Sequence, residues 1–410
     1  MFIFDLMTKV VFLLIFGLGI QQISWSQLRP VPGKLQEVTD AEIQTGAERK
    51  SLWLPLLKGK RVGLIANPTS MVGQQHLADV MVQEGIHLIR VFGPEHGFRG
   101  KAGAGEQVRD DKDPKTGVQV VSLYGKHKKP QPEHLKDLDV VVFDIQDVGA
   151  RFYTYISTMS LAMEACAEQG VAFVVLDRPN PNGHYVDGPV LEKEYASFVG
   201  MHPVPVVHGM TVGEYAKMVN EEGWLPDQKK VNLTIIPCEG YHHNLLYQLP
   251  VAPSPNLPNM AAVYLYPSLC FFEGTPVSVG RGTDKPFQIL GFPGLQAPYS
   301  FTPNDIPGVA TNPPFKGQLC KGYDLSGFAL SYIKDYRRLY FLWMLDLHHR
   351  FPKDKGPFFN AFFSKLAGNG WLVKMLQDPE VQEEDLRKRW QPDVDAFMLK
   401  RKKYLLYPDF

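Results

Sequence analysis

Cysteine is scarce in this chain of 410 residues, which contains Cys166, Cys238, Cys270 and Cys320. No two of them form a CxxC pair, so their spacing does not support a zinc ribbon or a thioredoxin-like redox centre. A chain of this length does not need disulfides to hold its fold together. Because each cysteine lies among apolar residues, we expect buried free thiols. One disulfide in an oxidising compartment is the alternative.

An excess of charge of one sign is also absent. Lys plus Arg and Asp plus Glu number 43 each, so the formal net charge is zero. Proteins that bind nucleic acids usually carry a basic excess, and we therefore expect no nucleic-acid partner. The hydrophobic fraction of 44% and the charged fraction of 21% are typical of globular proteins. The length favours two domains.

Several short motifs of cofactor and hydrolase chemistry are missing. The first predicted strand leads into LIANPTSMVG instead of GxGxxG, and no Walker A motif occurs. A dinucleotide or nucleoside triphosphate cofactor is therefore not expected. HExxH is absent, and the adjacent His242 and His243 would point apart in an extended chain, so we expect no metal site. The absence of GxSxG gives no support for a hydrolase with a serine nucleophile elbow.

One apolar run near the N-terminus, VVFLLIFGLGI at residues 10–20, is too short to span a bilayer comfortably. Lys9 precedes it and the polar stretch QQISWSQ follows, which predicts a secretory signal peptide over residues 1–26. No cysteine follows directly, so a lipoprotein anchor is not indicated. We expect export to the periplasm or the outside, with no membrane span in the mature chain. A buried N-terminal helix is the alternative.

Apolar runs alternate with amphipathic segments between residues 51 and 250. The predicted strands are RVGLIAN, HLIRVFG, VQVVSLYG, DVVVFDI, VAFVVLD and VNLTIIP. The predicted helices cover residues 75–85, 132–138 and 155–170, and a further one begins near 211. Uniformly apolar strands that alternate with helices indicate a parallel sheet covered on both faces. We therefore predict a Rossmann-like α/β domain over residues 51–250.

The pattern changes after residue 250. VAPSPNLPNM is a proline-rich connector, and helical spacing returns in LSYIKDYRRLYFLWMLDLHHRF and in the tail DVDAFMLKRKKYLLY. These segments predict a second, smaller α+β domain over residues 251–410. A cleft between the two domains would then hold the active site.

Polar side chains follow three of the predicted strands, at the edge where open parallel sheets bind their ligands. The candidates are Glu95, His96, Arg99, Asp144, Asp147, Arg151, Tyr153 and Asp177. Carboxylates at three strand ends are stronger evidence for a site than any one alone. Structural roles are the alternatives: Glu95 could pair with Arg99, and Asp147 could occupy the first turn of the following helix. Asp177 could form an internal ion pair that fixes its loop.

A second group of polar residues lies in FFEGTPVSVGRGTDKPF, which contains Glu273, Arg281 and Thr283. Its glycines permit tight turns and a close backbone approach to a ligand. An acid and an arginine in such a loop suit a small anionic ligand. An ordinary surface hairpin is the alternative.

Carboxylates and arginines between two domains indicate glycoside cleavage, since a pair of carboxyl groups performs that reaction. Tyr153, Tyr155 and Phe98 could provide stacking surfaces for a sugar. Two other functions stay open. A non-catalytic binder of cell-wall sugars would need the pocket but not the acids. An esterase or deacetylase would need an activated serine or a metal, and the sequence indicates neither.

Five motifs together resemble the exo-β-N-acetylmuramidase family, namely PEHGFRG, FDIQDVGARFYTY, DRPNP, PSPNLP and FFEGTPVSVGRGTDKPF. The resemblance runs from about Leu52 to the C-terminus. It implies a Rossmann-like domain, a smaller C-terminal domain and a site between them. It also implies release of terminal N-acetylmuramic acid from the non-reducing end of peptidoglycan fragments.

The resemblance gives Glu95, Glu273 and Asp144 as catalytic candidates. We expect Glu95 to be the general acid, and Asp144 or Glu273 to be the base or to orient the 2-acetamido group. Arg281 is the first candidate for the lactyl carboxylate and Arg151 the second. The expected substrate-binding residues are His96, Arg99, Asp147, Arg151, Tyr153, Asp177, Arg281 and Thr283. Inverting, retaining and substrate-assisted courses all stay open.

Overall fold

The computed structural model describes residues 36–38, 43–95, 97–99, 111–125 and 127–410. The predicted signal peptide at residues 1–26 lies outside these ranges, and so does His96. Within them, no helix combines the length and the apolar character that a membrane crossing requires.

A seven-stranded sheet forms the centre of the N-terminal region. The strands of the described chain are β1 Gln36–Val38, β2 Arg61–Ala66, β3 Met71–Val72, β4 Gln75–His76, β5 His87–Gly93, β6 Asp111–Lys112, β7 Gln119–Ser122, β8 Val140–Asp144, β9 Ala172–Leu176, β10 Leu233–Ile236, β11 Leu245–Tyr247, β12 Ile289–Phe292, β13 Tyr299–Phe301 and β14 Cys320–Asp324. The sheet order is β10-β9-β8-β2-β5-β7-β6, parallel except for β6, which runs antiparallel to β7. All five residues of β8 are buried, because helices cover both faces of the sheet. The predicted α/β fold is confirmed.

Helices lie between the strands as the spacing predicts. They are α1 Lys50–Leu57, α2 Leu77–Gln83, α3 Pro132–Leu135, α4 Tyr155–Gln169, α5 Val212–Glu221, α6 Met260–Leu269, α7 Ser326–Tyr336, α8 Leu342–Arg350, α9 Ala361–Ala367, α10 Trp371–Leu376 and α11 Glu383–Arg401. α5 begins with a capping box, in which Thr211 and Glu214 each bond the other's backbone N–H. α4 ends at Gly170, whose φ of 68° is left-handed. α2 begins later than predicted, at Leu77, because the His76 ring accepts a hydrogen bond from the backbone of Ala78 and caps the helix.

The C-terminal region combines an antiparallel sheet, in the order β12-β14-β13, with helices α7 to α11. The helical tract that the sequence predicts around residues 330–351 is two helices, since Arg337 adopts a left-handed φ of 46° and ends α7. The helix predicted in the tail belongs to α11, which ends at Arg401.

Long-range hydrogen bonds fasten α11 to the N-terminal region. Asp187 accepts from Arg387 at 2.8 Å and from the indole of Trp390 at 2.9 Å. Arg401 donates to the Gly209 carbonyl at 2.6 and 3.0 Å. These buried bonds join α11 to the segment between β9 and α5.

All four cysteines are free and buried, as predicted. Cys166 lies in α4, Cys238 follows β10, Cys270 follows α6 and Cys320 begins β14.

Candidate active site

Three neighbouring strands bring polar residues to one edge of the sheet. β2 pairs with both β5 and β8, so the residues that follow these strands lie side by side. Asn67 follows β2 directly, Glu95 follows β5, and Asp147 follows β8. This is the carboxyl edge, where open parallel sheets bind ligands.

The Tyr155 side chain marks the point where these groups meet. Burial raises the pKa of the Tyr155 hydroxyl, and the nearby carboxylates of Glu95 and Asp147 act in the same direction. The Asn67 and Tyr153 side chains lie beside this hydroxyl and lower its pKa. Glu95, Asn67 and Asp147 therefore all lie near one tyrosine, as the strand order predicts.

Glu95 is partly exposed and its carboxylate has no hydrogen-bond or ion-pair partner among the described residues. It lies in a tight turn, in which the Gly97 N–H donates to the Pro94 carbonyl at 3.0 Å and Gly97 adopts a left-handed φ of 75°. The turn is anchored by Phe98, which is 5% exposed and contacts the His76 ring edge-on at 4.7 Å between centroids. The loop thus holds a free carboxylate at the edge of the sheet.

Arg99 holds this loop instead of facing the edge. Its guanidinium donates to Asp113 at 2.7 Å and to Asp79 at 2.8 Å, and it covers the Phe98 ring at 4.7 Å. The hydrogen bonds that Arg99 donates to Asp113 raise the pKa of the guanidinium and outweigh burial. Lys115 joins the cluster through Asp79 at 2.5 Å. Because two carboxylates occupy its guanidinium, Arg99 fixes the position of the Glu95 turn.

A cluster of three tyrosines connects the sheet edge to the C-terminal region. The rings of Tyr153 and Tyr155 meet edge-on at 5.0 Å, and Tyr153 meets Tyr266 in the same way at 5.6 Å. Tyr153 also donates to the Pro253 carbonyl at 2.8 Å, within the predicted connector. Tyr266 in turn contacts Phe287 at 4.9 Å. The tyrosine cluster is thus a continuous wall from Glu95 to the glycine-rich loop.

Glu273 and Arg281 form an ion pair at the far end of the tyrosine cluster. Arg281 Nε donates to Glu273 Oε1 at 2.6 Å, and the guanidinium lies over the Phe287 ring at 5.0 Å. Both side chains are about one quarter exposed, at 26% and 24%. Burial lowers the pKa of Arg281, but the Glu273 carboxylate outweighs it, so the pKa lies above its ordinary value. The Nη1 and Nη2 atoms have no hydrogen-bond partner in the described part of the chain.

The loop that carries Arg281 depends on two left-handed glycines, Gly280 and Gly282, each with φ of 79°. Thr283 closes the turn, since its hydroxyl donates to the Gly280 carbonyl at 2.7 Å and accepts from the Lys285 N–H at 3.0 Å. The predicted binding residue Thr283 therefore shapes the backbone around Arg281.

Two predicted acids lie beneath the edge and have no exposed surface. Asp144 forms a double hydrogen bond with Arg178, at 2.6 and 2.9 Å. Asp177 accepts from Thr211 at 2.7 Å and from Tyr407 at 2.5 Å, and burial raises its pKa to about 6. In this conformation neither carboxylate can touch a sugar, because hydrogen-bond donors already surround it.

Arg151 is also fully buried, and it does not face a carboxylate. Its Nη1 donates to the carbonyls of Pro189 and Val204, and its Nη2 donates to those of Leu366 and Ala367, at 2.8 to 2.9 Å. Burial lowers its pKa to about 9. The structure thus places Arg151 as a clasp between the N-terminal region and α9, away from the partly exposed Glu95.

The structure therefore brings together Glu95, Asp147, Tyr153, Glu273 and Arg281 along one wall. The sequence patterns assign no role to Asn67 or Tyr266. Asn67 has the same sequence signal as Glu95, a polar residue directly after a buried strand. Tyr266 has none, since it lies in a uniformly apolar helix. Within the described ranges, no three His, Cys, Asp or Glu residues lie close enough together to hold a metal ion.

Comparisons with known proteins find relatives along nearly the whole chain. The family models for the N- and C-terminal parts of exo-beta-N-acetylmuramidase NamZ match residues 62–261 and 264–407. The chain is 38% identical to peptidoglycan beta-N-acetylmuramidase NamZ of Bacillus subtilis (strain 168), over 98% of this chain and 100% of that protein. Two crystal structures of DUF1343 family proteins from Bacteroides fragilis NCTC 9343 are similar. One has a TM-score of 0.82 and 45% identity, over 90% of this chain and 99% of that chain. The other has a TM-score of 0.75 and 32% identity, over 89% of this chain and 99% of that chain.

Proposed function

Since the chain belongs to the exo-β-N-acetylmuramidase NamZ family, we propose that it is an exo-acting glycoside hydrolase of peptidoglycan fragments. It releases terminal N-acetylmuramic acid from their non-reducing end. The full-length similarity to an enzyme named for this activity favours hydrolysis over mere binding of cell-wall sugars. The two family models cover both the sheet edge and the glycine-rich loop, so both ends of the wall lie within the family match.

The main support for the proposal is that the Glu95 carboxylate is partly exposed and unpaired within the described residues. Among the acids predicted for the site, it alone has no hydrogen-bond or ion-pair partner within the described residues. A general acid must reach the leaving oxygen and exchange its proton, which a free and partly exposed carboxyl group can do. Glu95 therefore protonates the glycosidic oxygen as the bond to the anomeric carbon breaks.

Arg281 binds the lactyl carboxylate of the terminal sugar. Its Nε is held by Glu273 at 2.6 Å, which leaves the two Nη groups to donate. An arginine fork of this kind binds a carboxylate through two parallel hydrogen bonds. Glu273 and the Phe287 ring keep the guanidinium in place. Glu273 thus acts by orienting Arg281, and the buried Asp144 and Arg151 support the loops around the site.

The first experiment measures hydrolysis of para-nitrophenyl β-N-acetylmuramide by the purified mature protein, with the β-N-acetylglucosaminide as control. We expect release from the muramide only. Release from both substrates would contradict recognition of the lactyl group by Arg281. Release from neither would contradict the proposed function, and binding of muramyl sugars without turnover would then identify a binding protein.

Glu95→Gln tests the general acid directly. The variant keeps the shape of the side chain but carries no proton to transfer, so we expect turnover to fall by at least about 100-fold. The melting temperature stays near the wild-type value, because no described residue bonds to this carboxylate. Glu194→Gln, at an exposed position, is the matched control. Near-normal turnover in Glu95→Gln would remove Glu95 from the mechanism.

Export completes the proposed function. The segment 1–26 has the order of a signal peptide, and an exported enzyme would meet peptidoglycan directly. Expression of the full chain followed by cell fractionation and N-terminal sequencing tests this. Recovery of an unprocessed chain in the cytoplasm would contradict export.

A further inference from the structure

Two buried polar atoms at the sheet edge have no hydrogen-bond partner among the described residues. They are Asn67 Nδ2, which can only donate, and Asp147 Oδ1, which accepts when the group is ionised. Asn67 is 1% exposed and Asp147 is 5% exposed. Burying such atoms unpaired is destabilising, and native proteins rarely do so without a reason. The pair therefore indicates a ligand with one acceptor and one donor.

The orientation of Asn67 follows from its other bonds. Its Oδ1 accepts from the Thr69 N–H at 2.9 Å and from the Thr69 hydroxyl at 2.5 Å. An amide that already uses its oxygen in this way must present its nitrogen on the other side. Thr69 Oγ1 also accepts from the Gln146 N–H at 3.0 Å, so the Asn67 loop is joined to the residue that precedes Asp147.

The orientation of the Asp147 carboxylate is also fixed by its hydrogen bonds. Its Oδ2 accepts from the Gly149 N–H at 2.6 Å, which leaves Oδ1 free. Gly149 has a left-handed φ of 74°, and a Cβ atom there would lie 2.2 Å from the Asn180 side chain, so the turn requires glycine. Asn67 and Asp147 follow the paired strands β2 and β8, and Glu95 follows β5, which pairs with β2 on its other side. The two unpaired atoms therefore belong to the same site as the proposed general acid.

We propose that Asn67 and Asp147 form the binding subsite for the 2-acetamido group of the terminal sugar. Asn67 Nδ2 donates to the amide carbonyl oxygen, and Asp147 Oδ1 accepts from the amide N–H. A secondary amide carries one acceptor and one donor on opposite sides, which is the pattern that the two unpaired atoms complement. This inference rests on the proposed function and names the residues that recognise the N-acetyl group.

The arrangement supplies a substrate-assisted course. The acetamido oxygen forms a bond to the anomeric carbon while the glycosidic bond breaks and Glu95 gives its proton to the leaving oxygen. Asp147 takes the amide proton, which leaves a neutral oxazoline. Water then adds to the anomeric carbon as the oxazoline oxygen leaves that carbon. Glu95 recovers a proton from the water, and Asp147 returns its proton to the amide nitrogen. Atoms and charges balance with water as the only co-reactant.

The test compares wild type, Asp147→Asn and Asn67→Ala on para-nitrophenyl β-muramides that differ only at nitrogen. The series carries acetyl, difluoroacetyl and trifluoroacetyl groups, which weaken the amide oxygen stepwise as a nucleophile. For wild type we expect kcat to fall at each step. For Asp147→Asn on the acetyl substrate we expect a loss of roughly 10- to 100-fold, the effect of one lost hydrogen bond to a charged group. Asp227→Asn, at a mostly exposed acid, is the matched control.

Sugar binding gives a second readout, which can be measured on the wild type alone. Isothermal titration of wild type with N-acetylmuramic acid and with de-N-acetylated muramic acid should show clear preference for the first, and Asn67→Ala should reduce that preference. Equal binding of the two sugars by wild type would overturn the inference even if Asp147→Asn did not fold. A wild type that hydrolyses the muramide, together with an Asp147→Asn variant of unchanged kcat, would overturn it while leaving the proposed function intact. A wild type without any hydrolysis would instead overturn the proposed function.

Discussion

Arg281 divides its hydrogen-bonding groups between the protein and the ligand. Arg281→Gln removes the charge that faces the lactyl carboxylate, so we expect kcat/KM on the muramide to fall roughly 10- to 100-fold. Any slow hydrolysis of the glucosaminide should change little, because that sugar has no lactyl group. Arg281→Lys keeps the charge but lacks the fork, and we expect an intermediate loss. Steady-state kinetics on both substrates measure these changes in kcat/KM. Equal losses on the two substrates would contradict recognition of the lactyl group by Arg281.

Asp147 makes the stability of the protein depend on pH. Burial raises its pKa to about 7, above the value of about 4 in an unfolded chain. The native state therefore holds a proton that the unfolded chain has lost between about pH 4 and 7, and the free energy of unfolding falls as pH rises through this window. The groups facing it include Tyr153, which precedes α4, Tyr155 at the start of α4, and Tyr215 from α5.

Asp147→Asn removes this pH dependence, because the amide does not ionise. We expect the variant to gain stability relative to wild type as pH rises from about 5 to about 8, by up to a few kcal/mol. Urea denaturation at the two pH values gives the difference. A difference that does not change with pH would show that the Asp147 pKa is not raised.

At the residue scale, the sequence pattern offers Glu95 and Arg281 as candidates, because a charged residue after a strand or in a glycine-rich turn can be recognised locally. It could not separate them from Asp144 and Arg151, which lie in equally suggestive motifs. The difference depends on distant partners: Arg178 for Asp144, and carbonyls as far along the chain as Ala367 for Arg151. Such contacts depend on the fold, so local patterns do not contain them.

The Arg151 clasp belongs to the scale of elements, since it joins the chain before α4 to α9. Arg151→Met fills similar space but removes four hydrogen bonds to buried carbonyls. The Val204 and Ala367 carbonyls keep donors from Leu191 and Asn369. We expect a loss of at least about 3 kcal/mol in the free energy of unfolding, with KM of the remaining folded enzyme near wild type. Denaturant titration and kinetics below the melting range measure the two effects. A raised KM without loss of stability would instead favour the substrate-binding role that the sequence suggested.

Element positions in the parallel sheet could be predicted closely, because uniformly apolar runs such as β8 are a strong local signal. The C-terminal region was less predictable. The tract that forms α7 and α8 has helical spacing throughout, and the break at Arg337 is a left-handed residue without glycine. The chain just after the break is held by distant residues, since the Leu339 N–H donates to Asp187 and the Leu339 carbonyl accepts from Arg387. The sequence likewise could not predict the two unpaired atoms of the acetamido subsite, because they depend on how the loops after β2 and β8 pack together.

At the scale of the whole molecule, the contacts between the two regions predict a single unfolding transition. The family models divide the chain near residue 262, but Asp187, Gly209 and Asp177 of the first part bind Arg387, Arg401 and Tyr407 of the second. These bonds are buried, so neither part keeps its hydrogen bonds when the other unfolds. We expect calorimetric and van't Hoff enthalpies to agree in differential scanning calorimetry. Two separate heat-absorption peaks would contradict this.

The buried cysteines give the molecule a set of natural reporters. Each thiol is shielded in a different part of the structure: α4, the segment after β10, the turn beside Glu273, and β14. A water-soluble alkylating reagent can reach a thiol only when that part opens, so the rate at each cysteine follows the local opening equilibrium. Mass spectrometry of the four labelled peptides would rank the parts by how readily they open, with no engineered probe. Cys270, whose thiol donates a hydrogen bond to Glu273 at 3.6 Å, would react more slowly when a muramyl sugar fills the site.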